Sequence, residues 1–401
     1  MIRSFRKWDG EIPTTGKRDC GPLHFASRKV FWFKQKRIVF DRGIGHAKGD
    51  HWSRSQMHLR AIFQLNQPHP MILRILFLLA IAVATASALS EENVSQSLDG
   101  APGGRLIVDV DFGTIDVSAG TDDKITVQAH RKIDSDSEAQ EKEYLASAPV
   151  TVSKEGNTVT VRARRQNKDK NLNWSGRCTM DARYTVRVPK TFNSELRTGG
   201  GTIMVAEITG TMSADTSGGK LKFTHLKGPT GATTSGGSIE LNGCDGPLKV
   251  DTSGGRIEAV EGSGSLEART SGGSIVVRNF SGDTKVETSG GRLSFENING
   301  KIFGRTSGGS ISAKLKSPVP GDVNLETSAG SIDVLVPADA GLDIEAEASS
   351  GRVTSELPFT GTRTDRDSMK GKINGGGKSL VLRSGAGSIS IKPASSEVAA
   401  K

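Results

Sequence analysis

Cysteine is nearly missing from this sequence, with three in 401 residues (Cys20, Cys178 and Cys244), which excludes a scaffold stapled by several disulfides. Histidine is as scarce beyond residue 70, where only His130 and His225 remain, and no spacing of His and Cys there matches a zinc site. Of the 53 Lys and Arg and the 44 Asp and Glu, 14 and 5 lie in residues 1–70, which leaves 39 of each sign in residues 71–401. That balance gives no footprint for a nucleic-acid partner. Apolar runs long enough to cross a membrane are lacking except for one that follows Met71. No motif carries a chemistry, so no catalytic, cofactor-binding or metal-binding residue is assigned and the chain is not expected to be an enzyme.

What the chain has instead is a repeat. Thr198, Thr216, Thr234, Thr252, Thr270, Thr288 and Thr306 open seven units 18 residues apart, and all but the first begin Thr-Ser-Gly-Gly. Looser copies follow at Thr327-Ser328-Ala329-Gly330, Ser349-Ser350-Gly351 and Ser384-Gly385-Ala386-Gly387. A short exact period is the signature of a solenoid, in which each unit buries its apolar face only against the next copy. Counting each Thr as position 1, position 6 reads Ile203, Leu221, Ile239, Ile257, Ile275, Leu293, Ile311, and position 8 is again apolar, from Val205 and Phe223 to Phe295 and Ala313. Polar residues mostly lie between, and a second alternation falls at positions 15 and 17, as at Leu248 and Val250. Period two means strands, with glycines at positions 3, 4 and 13 supplying the corners. The expected fold is all-β, a parallel β-solenoid of flattened two-sheet coils with an irregular N-terminal β-domain.

In such a stack each column becomes a ladder. Position 18 alternates in sign through Asp251, Arg269, Glu287 and Arg305, and position 16 through Lys249, Glu267 and Lys285, so neighbouring coils set opposite charges side by side.

Residues 1–70 look like a different protein, a basic extension with five of the seven His and three of the four Trp and no periodicity. After it, residues 71–88 read as a secretory signal peptide: one positive charge at Arg74, an apolar core, and the small-residue site Ala86-Ser87-Ala88. Translation is therefore expected to start at Met71 and the mature chain at Leu89. Were Met1 the start, the apolar run would act as a membrane anchor with the basic arm on the cytoplasmic side. Residues 89–197 are strand-rich without a period, with strands expected at 105–111, 114–117, 124–129, 150–153, 158–163 and 183–188, a short helix over 134–145 and a solvated loop at 164–170. The solenoid is assigned to 198–393. An insert near 357–377 is expected to cap or guard its edge, and 394–401 is a tail.

Several features approach known sites and fall short. Cys178 and Cys244 permit one disulfide, but Cys244 occupies position 11 with Ile208, Leu226, Phe280 and Ile298, which reads as a buried thiol. Calcium turns place a carboxylate row after Gly-Gly, where this repeat has Ser, Arg, Lys or Thr followed by Ile or Leu. Leu357-Pro358-Phe359-Thr360-Gly361 matches a wall-sorting signal without the apolar helix that should follow. Gly375-Gly376-Gly377-Lys378-Ser379 approaches a phosphate loop, but Leu380-Val381-Leu382 reads as a strand and not a helix. Carboxylates such as Asp215, Asp251, Glu258 and Glu287 sit in smooth columns, without the local cluster that a polysaccharide-cleaving solenoid needs.

The signal peptide, the Val188-Pro189 strand end and the recurring Thr-Ser-Gly-Gly-x-Ile phrase resemble a bacterial family of exported β-strand-repeat proteins labelled adhesins or domains of unknown function. The resemblance covers roughly residues 100–392. It implies a periplasmic, outer-surface or extracellular location and carries over no catalytic residue. The expected function is a non-enzymatic envelope scaffold that binds a surface glycan or another envelope protein, with self-association through the solenoid edges as a further option. A carbohydrate-active enzyme using 362–372 as a site wall, and a membrane-anchored regulatory partner, are the alternatives.

Overall fold

The period-two columns form two long sheets. In the computed structural model, which describes residues 90–165 and 177–394, one sheet has 14 strands and the other 15. The extension 1–70, the signal-like segment 71–88, most of the 164–170 loop and the tail beyond residue 394 lie outside the described residues. Each repeat gives one strand to each sheet: Ile203–Ala206, Leu221–Thr224 and Ile239–Asn242 run side by side in the smaller sheet, and Met212–Thr216, Thr230–Thr234 and Leu248–Thr252 in the larger. Pairing is parallel and steps by 18 residues, so Ile239 lies opposite Ile257 and Ile257 opposite Ile275. The inward residues at positions 6 and 8 are all buried and join one continuous core.

Position 1 is Thr for a reason that its burial alone does not give. Thr252 Oγ1 donates to the Gly237 carbonyl of the preceding coil at 2.9 Å and accepts from its own Gly255 N–H at 3.2 Å. The same bond to the preceding coil recurs from Thr216 to Thr327 and at Ser384. A hydroxyl thus satisfies two backbone groups of the corner that water cannot reach. The opposite edge is more than the single glycine corner expected at position 13. Position 10 adopts left-handed backbone in six successive coils, at Glu207, His225, Gly243, Glu261, Asn279 and Asn297. Position 12 then forms its own one-residue ladder from Thr191 to Asn299, which makes a narrow third side.

The N-terminal β-rich region covers the end of the stack by adding coils to it. Its elements are β1 (Ser90–Asp99), β2 (Gly104–Val110), β3 (Thr114–Ala119), β4 (Lys124–Ser135), α1 (Glu138–Ser147), β5 (Thr151–Glu155), β6 (Thr158–Ala163) and β7 (Cys178–Val188). β2 and β3 form one coil and β6 and β7 another, all parallel to their neighbours, while β1, β4 and β5 are antiparallel covers. β1 is a polar strand that hydrophobic alternation does not reveal. α1 starts at Ser137, whose hydroxyl accepts from Gln140 N–H, with Glu138 and Glu141 in the first turn.

At both ends the order of coils in space departs from the order in sequence. The coil of β2 and β3 is sandwiched between that of β6 and β7 and that of Phe192–Thr198 and Ile203–Ala206. At the other end, Lys378–Ser384 and Ile389–Pro393 slot between the coil of Val323–Thr327 and Ile332–Val336 and the coil of Leu342–Ala348 and Val353–Ser355. The final segment is therefore the penultimate coil, not the closing one that reading along the sequence gives. The insert supplies a hairpin, Thr360–Thr364 with Ser368–Ile373, that pairs antiparallel with Leu342–Ala348 and ends the larger sheet. The 15 strands of that sheet less three antiparallel covers leave twelve parallel ones, a stack on the order of 50 Å long at about 4.8 Å per coil. No described helix is long and apolar enough to cross a membrane.

Candidate functional site

The features singled out in the sequence take structural places. Cys178 and Cys244 are both free thiols, and Cys244 fills its apolar column, where burial pushes its thiol pKa up. His130 on β4 places Nδ1 2.8 Å from Asn93 Oδ1. His225 sits at a left-handed corner with its ring against Gly243. Among the described residues no three His, Cys, Asp or Glu are grouped to hold a metal ion. Gly375 and Gly376 turn at φ 81° and 90° and lead directly into the strand Lys378–Ser384, with Leu380 and Leu382 buried. Leu357 is buried and Thr360 opens the edge hairpin. That hairpin pairs antiparallel with Leu342–Ala348 and forms the edge of the larger sheet.

The carboxylates belong to ladders. Glu287 accepts from Arg269 Nε at 2.9 Å, Asp215 lies 3.8 Å from Arg197 Nε, and Glu258 bridges Arg256 at 3.3 Å and Arg278. The hydrogen bond from Arg269 holds Glu287 below the usual carboxylate range. The position-18 column is longer than the repeat alone reveals. Strand by strand it reads Arg162, Asp109, Arg197, Asp215, Thr233, Asp251, Arg269, Glu287, Arg305, Glu326, Arg383, Glu347, alternating in sign with one neutral break at Thr233.

The neighbouring column at position 16 changes character. After Lys249, Glu267 and Lys285 come Phe303, Asn324 and Val381 on successive strands. Phe303 is half-buried on the outer face, in a shallow groove of about 590 Å³, with Lys285 Nζ 5.8 Å from its ring centroid. Asp283 accepts from Lys301 N–H and Asp322 from Ser379 N–H, each at 3.1 Å, and these bonds fix both carboxylates at the rim. The Asn324 side-chain oxygen is buried with no donor to it. The sequence signal for this groove was a phenylalanine in a column of charges.

A second polar cluster sits inside the N-terminal cover. Arg131, fully buried on the inward phase of β4, donates through Nε to Glu92 at 2.9 Å and packs with Tyr184 and Tyr144, the only two tyrosines of the chain. Tyr144 donates to Asp111 at 3.4 Å and lies under the Arg165 guanidinium. Burial pushes the Tyr184 phenol up to about 12. Burial would raise Glu141 on α1, but hydrogen bonds from Ser90 and Ser135 outweigh it and hold the carboxyl below its ordinary value. Arg131 shares the inward phase of Ile125, Val127, Ala129 and Ile133, the pattern by which sequence alone could have found it. Its enclosure makes this cluster a fastening of α1 and β1 to the sheet.

The family model described as Toastrack DUF4097 matches residues 105–392. Among curated proteins none matches the chain. Similar solved structures include a "putative cell adhesion protein" of Clostridium sporogenes, 12% identical, covering 76% of this chain and 100% of that one with a TM-score of 0.20. A "putative adhesin" of Bacteroides fragilis is 13% identical over 76% of this chain and 97% of its own, with a TM-score of 0.29. Another from Parabacteroides distasonis is 11% identical over 76% and 97%, with a TM-score of 0.30.

Proposed function

The chain belongs to the Toastrack DUF4097 family, and from that membership and the character of its outer faces we propose that it is an exported, non-enzymatic scaffold of the cell envelope or surface that binds a partner in the manner of an adhesin. The observation that carries this reading is the outer face of the larger sheet, where in-register charged columns run along the stack and the position-16 column turns apolar at the Phe303 groove. Cross-coil ion pairs such as Arg269 with Glu287 and Arg197 with Asp215 make that face a firm platform. Export is supported by the signal-like segment 71–88.

Polysaccharide cleavage would need carboxylates free to act on a bond, and Asp215, Glu258 and Glu287 are engaged by Arg side chains. The reading is tested by titrating the protein against cell-wall fractions, where saturable binding is expected. Absence of binding, or release of products from a polysaccharide panel, would overturn it. N-terminal sequencing of the native protein checks export: a start at Leu89 outside the cytoplasm is expected, and a retained Met1 would favour a membrane anchor.

A further inference from the structure

The break in the position-16 column has no origin in the coil itself. A glutamate at 303 would continue the alternation against Lys285, and an aromatic ring on the solvent side gives up the burial that a core position would provide.

We propose that this groove binds a neutral saccharide, with one pyranose ring laid on Phe303 and its hydroxyls donating to Asp283 and Asp322. The proposal rests on the reading of the chain as a surface binding protein and names its ligand class. Three features select this chemistry. The floor is apolar while the rim offers oxygen acceptors, which suits a ligand with a C–H face and a ring of O–H donors. Asp283 and Asp322 are each fixed through one oxygen by a backbone N–H of the next coil, so the acceptors are pre-organised. They stand on strands two steps apart, about 10 Å along the stack, and so flank one ring without sharing it.

Charge excludes the nearest competitor. The lysines at 285 and 301 are outnumbered by Glu267, Asp283 and Asp322, which disfavours an acidic polymer or a phosphate. An extended peptide is disfavoured because the groove lies on a sheet face, whose backbone groups are already paired on both sides.

The test is calorimetric titration of the purified protein with maltoheptaose, cellohexaose and chitohexaose as neutral probes and polygalacturonate as the acidic one. Saturable binding of at least one neutral probe is expected, with Phe303→Ala weakening it by about tenfold or more and Phe303→Tyr retaining it. Thermal melts of both variants should lie close to the parent, because Phe303 stands on the outer face. No neutral probe binding, preference for polygalacturonate, or undiminished binding by Phe303→Ala overturns the proposal. The same variants titrated against cell-wall fractions separate the two readings. Equal wall binding by parent and Phe303→Ala overturns the groove alone, and no wall binding by the parent overturns both.

Discussion

A methyl group added at Gly236 would meet no atom within 4 Å, whereas one added at its neighbour Gly237 would lie 1.8 Å from the Gly219 carbonyl oxygen. Gly236→Ala should therefore leave stability within about 0.5 kcal/mol, while Gly237→Ala should cost roughly 3 kcal/mol or more, as urea midpoints of the two variants will show. The hydroxyl at position 1 gives a second test. Thr270→Val keeps the shape but strips partners from Gly255 O and Gly273 N–H, and should cost about 1 to 3 kcal/mol, with Thr270→Ser recovering most of it. Exposed Glu261 at φ 56° carries the opposite sign. Replacing it by Asn, which tolerates left-handed backbone, should stabilise by up to about 1 kcal/mol. Asn279 and Asn297 already occupy that position, so the left-handed corner was legible in principle. It was masked because Glu and His fill it elsewhere.

At the scale of strands, the ladder's one gap invites repair. Thr233→Arg would stand between Asp215 and Asp251 and should add a few tenths to about 1 kcal/mol, an increment that shrinks in high salt. The ladder also sets an acid limit. Glu287 has a folded pKa below its ordinary value of 4.5, so its contribution is whole above the unfolded pKa and is lost as pH falls through the lower folded one. Urea midpoints measured between pH 7 and pH 3 should fall at the acid end, and less so for Glu287→Gln. Strands with buried alternate residues were legible from period two, down to the bounds of Thr158–Ala163. β1 was not, because an edge strand that packs little apolar surface leaves no alternation to read. Arg131 escaped for the complementary reason, a charge on an inward phase that its partner Glu92 makes tenable.

For the whole molecule, the sequence order of the looser copies gave no guide to their order in space. One signal was present: Ser384 retains the position-1 hydroxyl and bonds Gly330 O at 2.9 Å, whereas the corresponding residue of the outer coil is Ala348. A chain ending at Ile373 should lose its outermost coil, because the strands joining that coil to the stack are gone. Limited proteolysis should then trim it back towards Val336, and a shorter chain ending at Val336 should resist cleavage better than the longer one. If the two are cut at equal rates, the interleaving contributes nothing. The same interleaving bears on mechanical force. Tension applied at the C-terminus reaches Ile389–Pro393, which is flanked by Ile332–Val336 on one side and Val353–Ser355 on the other. The strand must slide out from between two neighbours, like a belt end tucked beneath its own last turn, and cannot peel away bond by bond from a free edge.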